Sequence, residues 1–262
     1  MTLADAVYTT NLSRKGALLD ETLTVLSYVE AGESVEAVRR RVLADDLLLK
    51  TTLATRQGIW EEIRSRYMSD GELLPPLARM VVQAPDRITQ RLVLFYEYCL
   101  SEPLLRDTVL GCIYPRYAAG FSGIGKAEIQ QFFDEKLPAH PEIATWSPQT
   151  RDKVVSNILS ILRDFGLLAG TQRKQFARLY VPLPAFVYVL HRRRSQGRIT
   201  APAVLNDEVW HLFFLERGDL TPLLEEASAQ GHCIFKHQAD VMDLEWVYPS
   251  LEACVAAITR QV

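Results

Sequence analysis

The stretch SPQTRDKVVSNILSILRDFGLLAGTQRKQFARLYV, residues 147–181, decides how the middle of this chain folds. Ser147-Pro148 reads as a helix start, because a serine hydroxyl can take an orphan amide of the first turn and proline is tolerated where its missing N–H has no helical partner. Val154, Val155, Ile158, Ile161, Leu162 and Phe165 recur at helical spacing as one buried stripe, whereas Gln149, Lys153, Ser156, Asn157, Ser160 and Asp164 fall on the opposite face. Gly166 ends the helix. Two β-like runs follow, Leu167–Ala169 and Phe176–Val181, separated by the polar tip GTQRKQ at 170–175.

Working outward, Lys126–Leu137 reads as a helix with Ile129, Phe132, Phe133 and Leu137 inward, and Pro141–Trp146 as a short helix or turn. Three helices followed by a hairpin is the order of a winged helix-turn-helix, whose third helix enters the major groove while the hairpin tip touches backbone. Before them, Gly120, Gly123 and Gly125 form the densest glycine cluster of the chain, read as a flexible joint and a domain boundary.

Residues 1–120 carry helical periodicity throughout. Ser13–Glu30 presents Ala17, Leu18, Leu19, Leu23, Val25, Leu26 and Val29 as one face; Ser34 caps a helix through Val35, Val38 and Val42; Thr51 or Thr52 opens another with Leu53, Ile59, Trp60 and Ile63. Leu47–Leu49 turn the corner between those two. Pro75-Pro76 starts a fourth helix, Ile88–Cys99 forms a strongly apolar fifth, and a sixth runs through Leu105, Val109, Ile113 and Tyr117. After the central segment, Ala185–Ser195 reads as a helix ending in His191-Arg192-Arg193-Arg194. Helices over Asp207–Leu215 and Thr221–Gln230, strands over Cys233–Phe235 and Leu244–Tyr248, and a final Ser250-capped helix make a small α+β cap. The expected architecture is mainly α, with a helical bundle at 1–120, a basic winged helix-turn-helix at 121–198 and an α+β region at 199–262.

Charge is distributed unevenly. Pro148–Arg198 holds ten Lys or Arg against Asp152 and Asp164, a local +8 in a chain of net −3, which leaves −11 for the rest. Clustered cations inside an acidic protein are the footprint of a polyanion, because they release counterions condensed on phosphates. The competing bland reading is a solvated face or a contact to an acidic protein. The candidate contacts are Lys153, Asn157 and Arg163 on the helix, Arg173, Lys174 and Arg178 on the hairpin, and Arg192, Arg193 and Arg194 beyond it, acting mainly on phosphates of double-stranded DNA. Arginines in a last helical turn also complement the helix dipole, so that run has a structural reading too. Arg39–Arg41 with Lys50 and Arg56 form a weaker second patch, since helix geometry splits those arginines over different faces.

Catalytic and cofactor signatures are missing from the sequence. The phrase Gly120-Phe121-Ser122-Gly123-Ile124-Gly125 has neither a preceding strand nor a lysine in P-loop register, and it lacks the spacing of a nucleophile elbow. His232, Cys233, His237 and Asp240 have metal-ligand chemistry without a closing pair, and the widely spaced Cys99, Cys112, Cys233 and Cys254 suit buried thiols better than zinc or disulfides. Asp45-Asp46, Glu61-Glu62 and Glu225-Glu226 read as solvated charge. Apolar runs such as Pro182–Leu190 are far shorter than the roughly 20 residues a membrane span needs, and the first residues lack a basic segment followed by an apolar one. The reading is a cytoplasmic protein with no enzyme activity, cofactor or metal.

Several phrases carry a resemblance. Tyr8-Thr9-Thr10-Asn11-Leu12 followed by Gly16-Ala17-Leu18-Leu19-Asp20-Glu21-Thr22 resembles the opening of the BrxA family of BREX bacteriophage-exclusion systems. The stretch through Arg56, Trp60, Ile63 and Arg66-Tyr67, the Leu94-Phe95-Tyr96 helix and the passage Ser156-Asn157-Ile158-Leu159 to Phe165-Gly166-Leu167-Leu168 are similar to it as well, over about residues 6–200. The resemblance implies a small helical, non-catalytic DNA-binding protein working beside other BREX defence proteins. It also implies a likeness in fold to the antitermination factor NusB. Set against this are a protein–protein scaffold, a NusB-like RNA binder and a transcriptional regulator. The oligomeric state stays open.

Overall fold

In the computed structural model, residues 6–171, 173–238 and 241–260 are described, and the protein is mainly α. The first helices are α1 (Leu19–Glu30), α2 (Val35–Leu43), α3 (Leu53–Tyr67), α4 (Leu74–Val82) and α5 (Arg87–Ser101). Side-chain oxygens of Ser34, Thr52 and Asp86 accept the amides of Ala37, Thr55 and Thr89, which fixes where α2, α3 and α5 begin. The corner between α2 and α3 uses left-handed backbone at Asp46 and Leu49, with Leu48 buried between them. The periodicity starting at Ser13 overshoots α1. A short 3₁₀ turn over Asn11–Ser13 comes first and buries Leu12, and Leu18 is left-handed just before α1 begins. The Arg66 guanidinium takes the carbonyls of Gly16 at 2.9 Å and Ala17 at 3.5 Å, which draws this segment away from helical pairing.

The next helical stretch is α6 (Pro103–Thr108), a π-helical turn at Val109–Ile113 and α7 (Tyr114–Ala118). Pro115 has no N–H to return to the preceding turn, and Gly111 lets the Phe132 ring approach, since a Cβ there would lie 2.7 Å from it. α7 closes on Gly120 in left-handed conformation. The Gly120 and Phe121 amides donate to the Tyr117 and Arg116 carbonyls, a Schellman ending that turns the chain outward.

The glycine cluster is not loose. Gly123–Ile124 forms β1, and Gly125 is the N-cap of α8 (Lys126–Lys136). A short 3₁₀ turn (Pro141–Thr145), α9 (Pro148–Asp164), β2 (Leu168–Ala169) and β3 (Lys174–Phe176) follow. The three strands are antiparallel in the order β1-β3-β2, with Gly123 opposite Gln175, Ile124 opposite Lys174 and Leu168 opposite Phe176. A Cβ at Gly123 would lie 2.1 Å from the Lys174 carbonyl, so a glycine is what lets β1 join the hairpin. The second β-like run therefore lies earlier than its hydrophobic letters indicate; beyond Phe176 the chain keeps one bond, Ala177 N–H to the Leu167 carbonyl, and then enters a helix.

That helix is α10 (Leu183–Ser195), followed by α11 (Ala201–Leu205), a 3₁₀ turn (Glu208–Phe213), α12 (Arg217–Ala229), β4 (Cys233–Gln238), β5 (Val241–Trp246) and α13 (Leu251–Arg260). Asp207–Leu215 is thus a tight 3₁₀ turn and not an α-helix: the Asp207 carboxylate accepts the Val209 amide and Phe214 ends the turn left-handed. β4 and β5 form a two-stranded antiparallel hairpin. One continuous apolar core runs from Tyr8 to Ile258, because α13 packs on α4 and α10, and α10 packs on α5. Among the described residues no helix is long and apolar enough to cross a membrane.

Candidate nucleic-acid interface

Ser147 caps α9 as its sequence indicates, accepting the Thr150 amide at 3.1 Å, and the apolar stripe from Val154 to Leu162 is buried. The turn of the helix then leaves Ser156, Ser160 and Arg163 along one open edge. They form one wall of a cavity of about 610 Å³. The N-terminal approach to α8, from Ser122 to Lys126, forms the floor, and the hairpin residues Thr171, Arg173, Lys174 and Gln175 form the other wall. The helix edge and the hairpin tip therefore face the same space, with Lys126, Arg163, Arg173 and Lys174 bordering it and Glu128 as the carboxylate among the lining residues.

Each cation is held differently. The Lys174 ammonium donates to the Gly170 and Thr171 carbonyls at 2.8 and 3.0 Å, closing the tip; Gly170 is left-handed, and a Cβ there would meet the Arg173 carbonyl at 2.4 Å. Partial desolvation, then the neighbouring Arg163 charge, hold Lys174 below the usual lysine range. Arg163 pairs with Asp164 at 2.7 Å, and Lys126 with Asp152 at 2.9 Å. Glu128 is occupied twice, by the Gly125 amide at 3.0 Å and by Arg116 at 3.0 Å. Lys153, Arg173 and Arg178 are exposed and have no ion-pair partner among the described residues.

The other sequence candidates are placed elsewhere. The Asn157 side-chain amide donates to the Leu12 carbonyl at 2.7 Å, so it ties the N-terminal segment to α9. That segment is itself anchored: the Tyr8 ring stacks on His140 at 3.7 Å, and its amide and hydroxyl reach Glu142 and Asp107. Arg192 pairs with buried Glu97 at 3.2 Å, Arg193 with buried Asp207 at 2.7 Å, and Arg194 donates to the Tyr248 carbonyl while lying over the Trp246 ring. His191 beside them is pushed down to about 4, chiefly by burial. The arginine run faces the protein. Arg178 is exposed outside the cavity lining. In the weaker N-terminal patch, Arg39, Arg41, Lys50 and Arg56 each pair with a carboxylate, from Glu36, Glu33, Glu21 and Asp46 respectively.

Ser122, Lys126 and Thr171 belong to the cavity as well: β1 pairing with β3 brings in Ser122, α8 packing on α9 brings in Lys126, and Thr171 lies on the hairpin tip itself. His232 and Cys233 are buried structural groups: the His232 ring meets the Tyr248 hydroxyl at 3.1 Å and its carbonyl faces His191. Asp240 lies outside the described residues. Among the described residues no group of three or more His, Cys, Asp or Glu is gathered as a metal site would require.

Fold and cleft together define a mainly helical protein in which a small antiparallel sheet and one helix edge frame a basic cavity. The chain belongs to the BrxA family, which it matches over residues 6–192. Membership suggests a role in BREX phage defence. Among solved structures the chain is similar to an uncharacterized protein from Magnetospirillum magneticum, with a TM-score of 0.63 and 14% identity over 80% of this chain and all of that one. At that identity the likeness concerns the fold alone. No curated protein matches the chain.

Proposed function

We propose that this protein is a non-catalytic, duplex-DNA-binding accessory protein of a BREX phage-defence system, acting in the cytoplasm beside other BREX proteins. The observation that carries the reading is the shared cavity: Ser156, Ser160 and Arg163 of α9 face Arg173 and Lys174 of the hairpin across it. The order β1, α8, turn, α9, β2, β3, with the sheet in the order β1-β3-β2, fits a winged helix-turn-helix. In that reading α9 approaches the major groove, with Lys153 at its exposed edge. A bordering phosphate strand passes between helix and hairpin. An anion there relieves the repulsion between Arg163 and Lys174.

Contact is mainly to phosphates and tolerant of sequence. The Ser156 and Ser160 hydroxyls donate back to the Asp152 and Ser156 carbonyls of their own helix, so the phosphate contacts fall to the cations Arg163, Arg173 and Lys174. The test is retardation of random duplex DNA at several salt concentrations. Affinity should fall linearly in log–log form with salt, by a slope of about 0.9 per neutralised phosphate. Protein that fails to shift duplex DNA at low salt would falsify the reading.

A further inference from the structure

Beside the basic cavity lies a second hollow of about 600 Å³, and it is aromatic where the first is basic. Tyr117, Phe121 and Phe176 line it, and Ser122 and Gln175 line both hollows. The two are adjacent along one sheet edge. We infer that this edge is a seat for an unpaired nucleotide, whose phosphate lies in the basic cleft and whose base stacks on Phe121; the inference rests on the DNA-binding reading of that cleft.

Three observations support the assignment. Phe121 is 53% exposed and Tyr117 is 37% exposed, an arrangement that leaves large rings in water at a position the backbone dictates. The Schellman ending at Gly120 sends Phe121 outward. Both rings are also held: the Arg116 guanidinium lies 4.1 Å from the Phe121 centroid, and Tyr117 stacks on Phe214 at 4.5 Å with its edge to Phe176 at 5.5 Å. Arg116 in turn donates to the Gly123 carbonyl at 2.8 Å and pairs with Glu128, both of which border the basic cleft. One guanidinium thus couples ring and cleft. Base–aromatic stacking beside a track of cations is the means by which single strands are bound without sequence preference. Glu216 at the aromatic rim repels phosphate, which directs the charged part of the ligand to the cationic side.

The experiment compares a blunt random duplex with the same duplex carrying a short unpaired overhang that contains 2-aminopurine. Wild-type protein should bind the overhang DNA about tenfold more tightly, the equivalent of one stacked base, and should quench the unpaired 2-aminopurine. Phe121→Ala should remove the preference and the quenching while leaving blunt-duplex affinity unchanged, and Phe121→Tyr should keep both. Equal affinity for the two DNAs without quenching overturns the inference and spares the duplex reading. Binding of the overhang DNA with quenching but no binding of the blunt duplex supports the inference and overturns the duplex reading. Failure to bind either DNA overturns both. The quenching arm uses the unaltered protein, so it does not depend on how any variant folds.

Discussion

The arginine run of α10 and the hairpin tip between β2 and β3 look alike as letters, yet the fold places them in opposite ways. Arg192 and Arg193 are turned inward onto Glu97 and Asp207, carboxylates that are 3% exposed, while Arg173 stands in solvent at the edge of a cavity. Positive charge in the first place compensates buried negative charge within the chain. In the second, Arg173 has no ion-pair partner among the described residues and stands open to solvent. Local net charge therefore overstated the positive charge left unpaired at the surface, and what separates the two regions is where the acids sit in the fold.

The sharpest test of that contrast is Arg193→Met. Removing one partner leaves buried Asp207 with the more exposed Arg198, 3.3 Å away, as its remaining ion-pair partner, and should cost about 3 kcal/mol by urea denaturation. DNA affinity of the folded variant should be unchanged. A stable variant with weakened DNA binding would break the comparison.

Buried charge also sets a pH dependence. Glu102 is pushed up to about 7, first by burial, with Glu62 adding to the rise and Arg66 opposing it. A carboxyl that binds its proton more tightly when folded contributes stability that is complete below its unfolded value near 4.5 and is lost as pH rises through about 7. Glu102→Gln should therefore stabilise the protein by about 2 kcal/mol at pH 8 and by much less at pH 4.5. Urea midpoints at the two pH values decide it. The cleft cations, which are mostly solvated, should add little to that profile.

On the hairpin side the expected effect lies in binding. Arg173→Glu with Lys174→Glu should weaken duplex DNA about tenfold or more at low salt and shallow the salt slope by about 2, one phosphate per cation. Unfolding midpoints should move little. An unchanged slope would place these residues outside the contact.

The smallest effect should come from Asn157→Ala. Loss of its bond to the Leu12 carbonyl should cost about 1 kcal/mol of stability with no change in DNA affinity. If affinity falls and stability holds, Asn157 reads DNA and the N-terminal segment moves aside.

Much of the fold was legible for local reasons. Serine and threonine caps marked α2, α3 and α9, and the helical stripe of α9 named its buried face. Helix starts and amphipathic faces depend on residues within one or two turns. Errors fell where a distant partner decides: Gly16 and Ala17 leave the helix for Arg66, and Gly123 becomes a strand because β3 lies beside it. The candidate site divided in the same way, with Arg163, Arg173 and Lys174 lining the cavity, Lys153 and Arg178 exposed outside its lining, and Asn157 and Arg192–Arg194 in structural bonds.

By itself the sequence determined a mainly helical chain, the capped helix at 148–164, the basic hairpin tip and the concentration of positive charge around them. Only the tertiary structure decided which of those charges remain available. Periodicity is set by bonds between near neighbours, whereas the fate of an arginine depends on a carboxylate 95 residues away, as with Arg192 and Glu97. The cavity has the same origin, since β1, α9 and the hairpin meet only when the sheet closes.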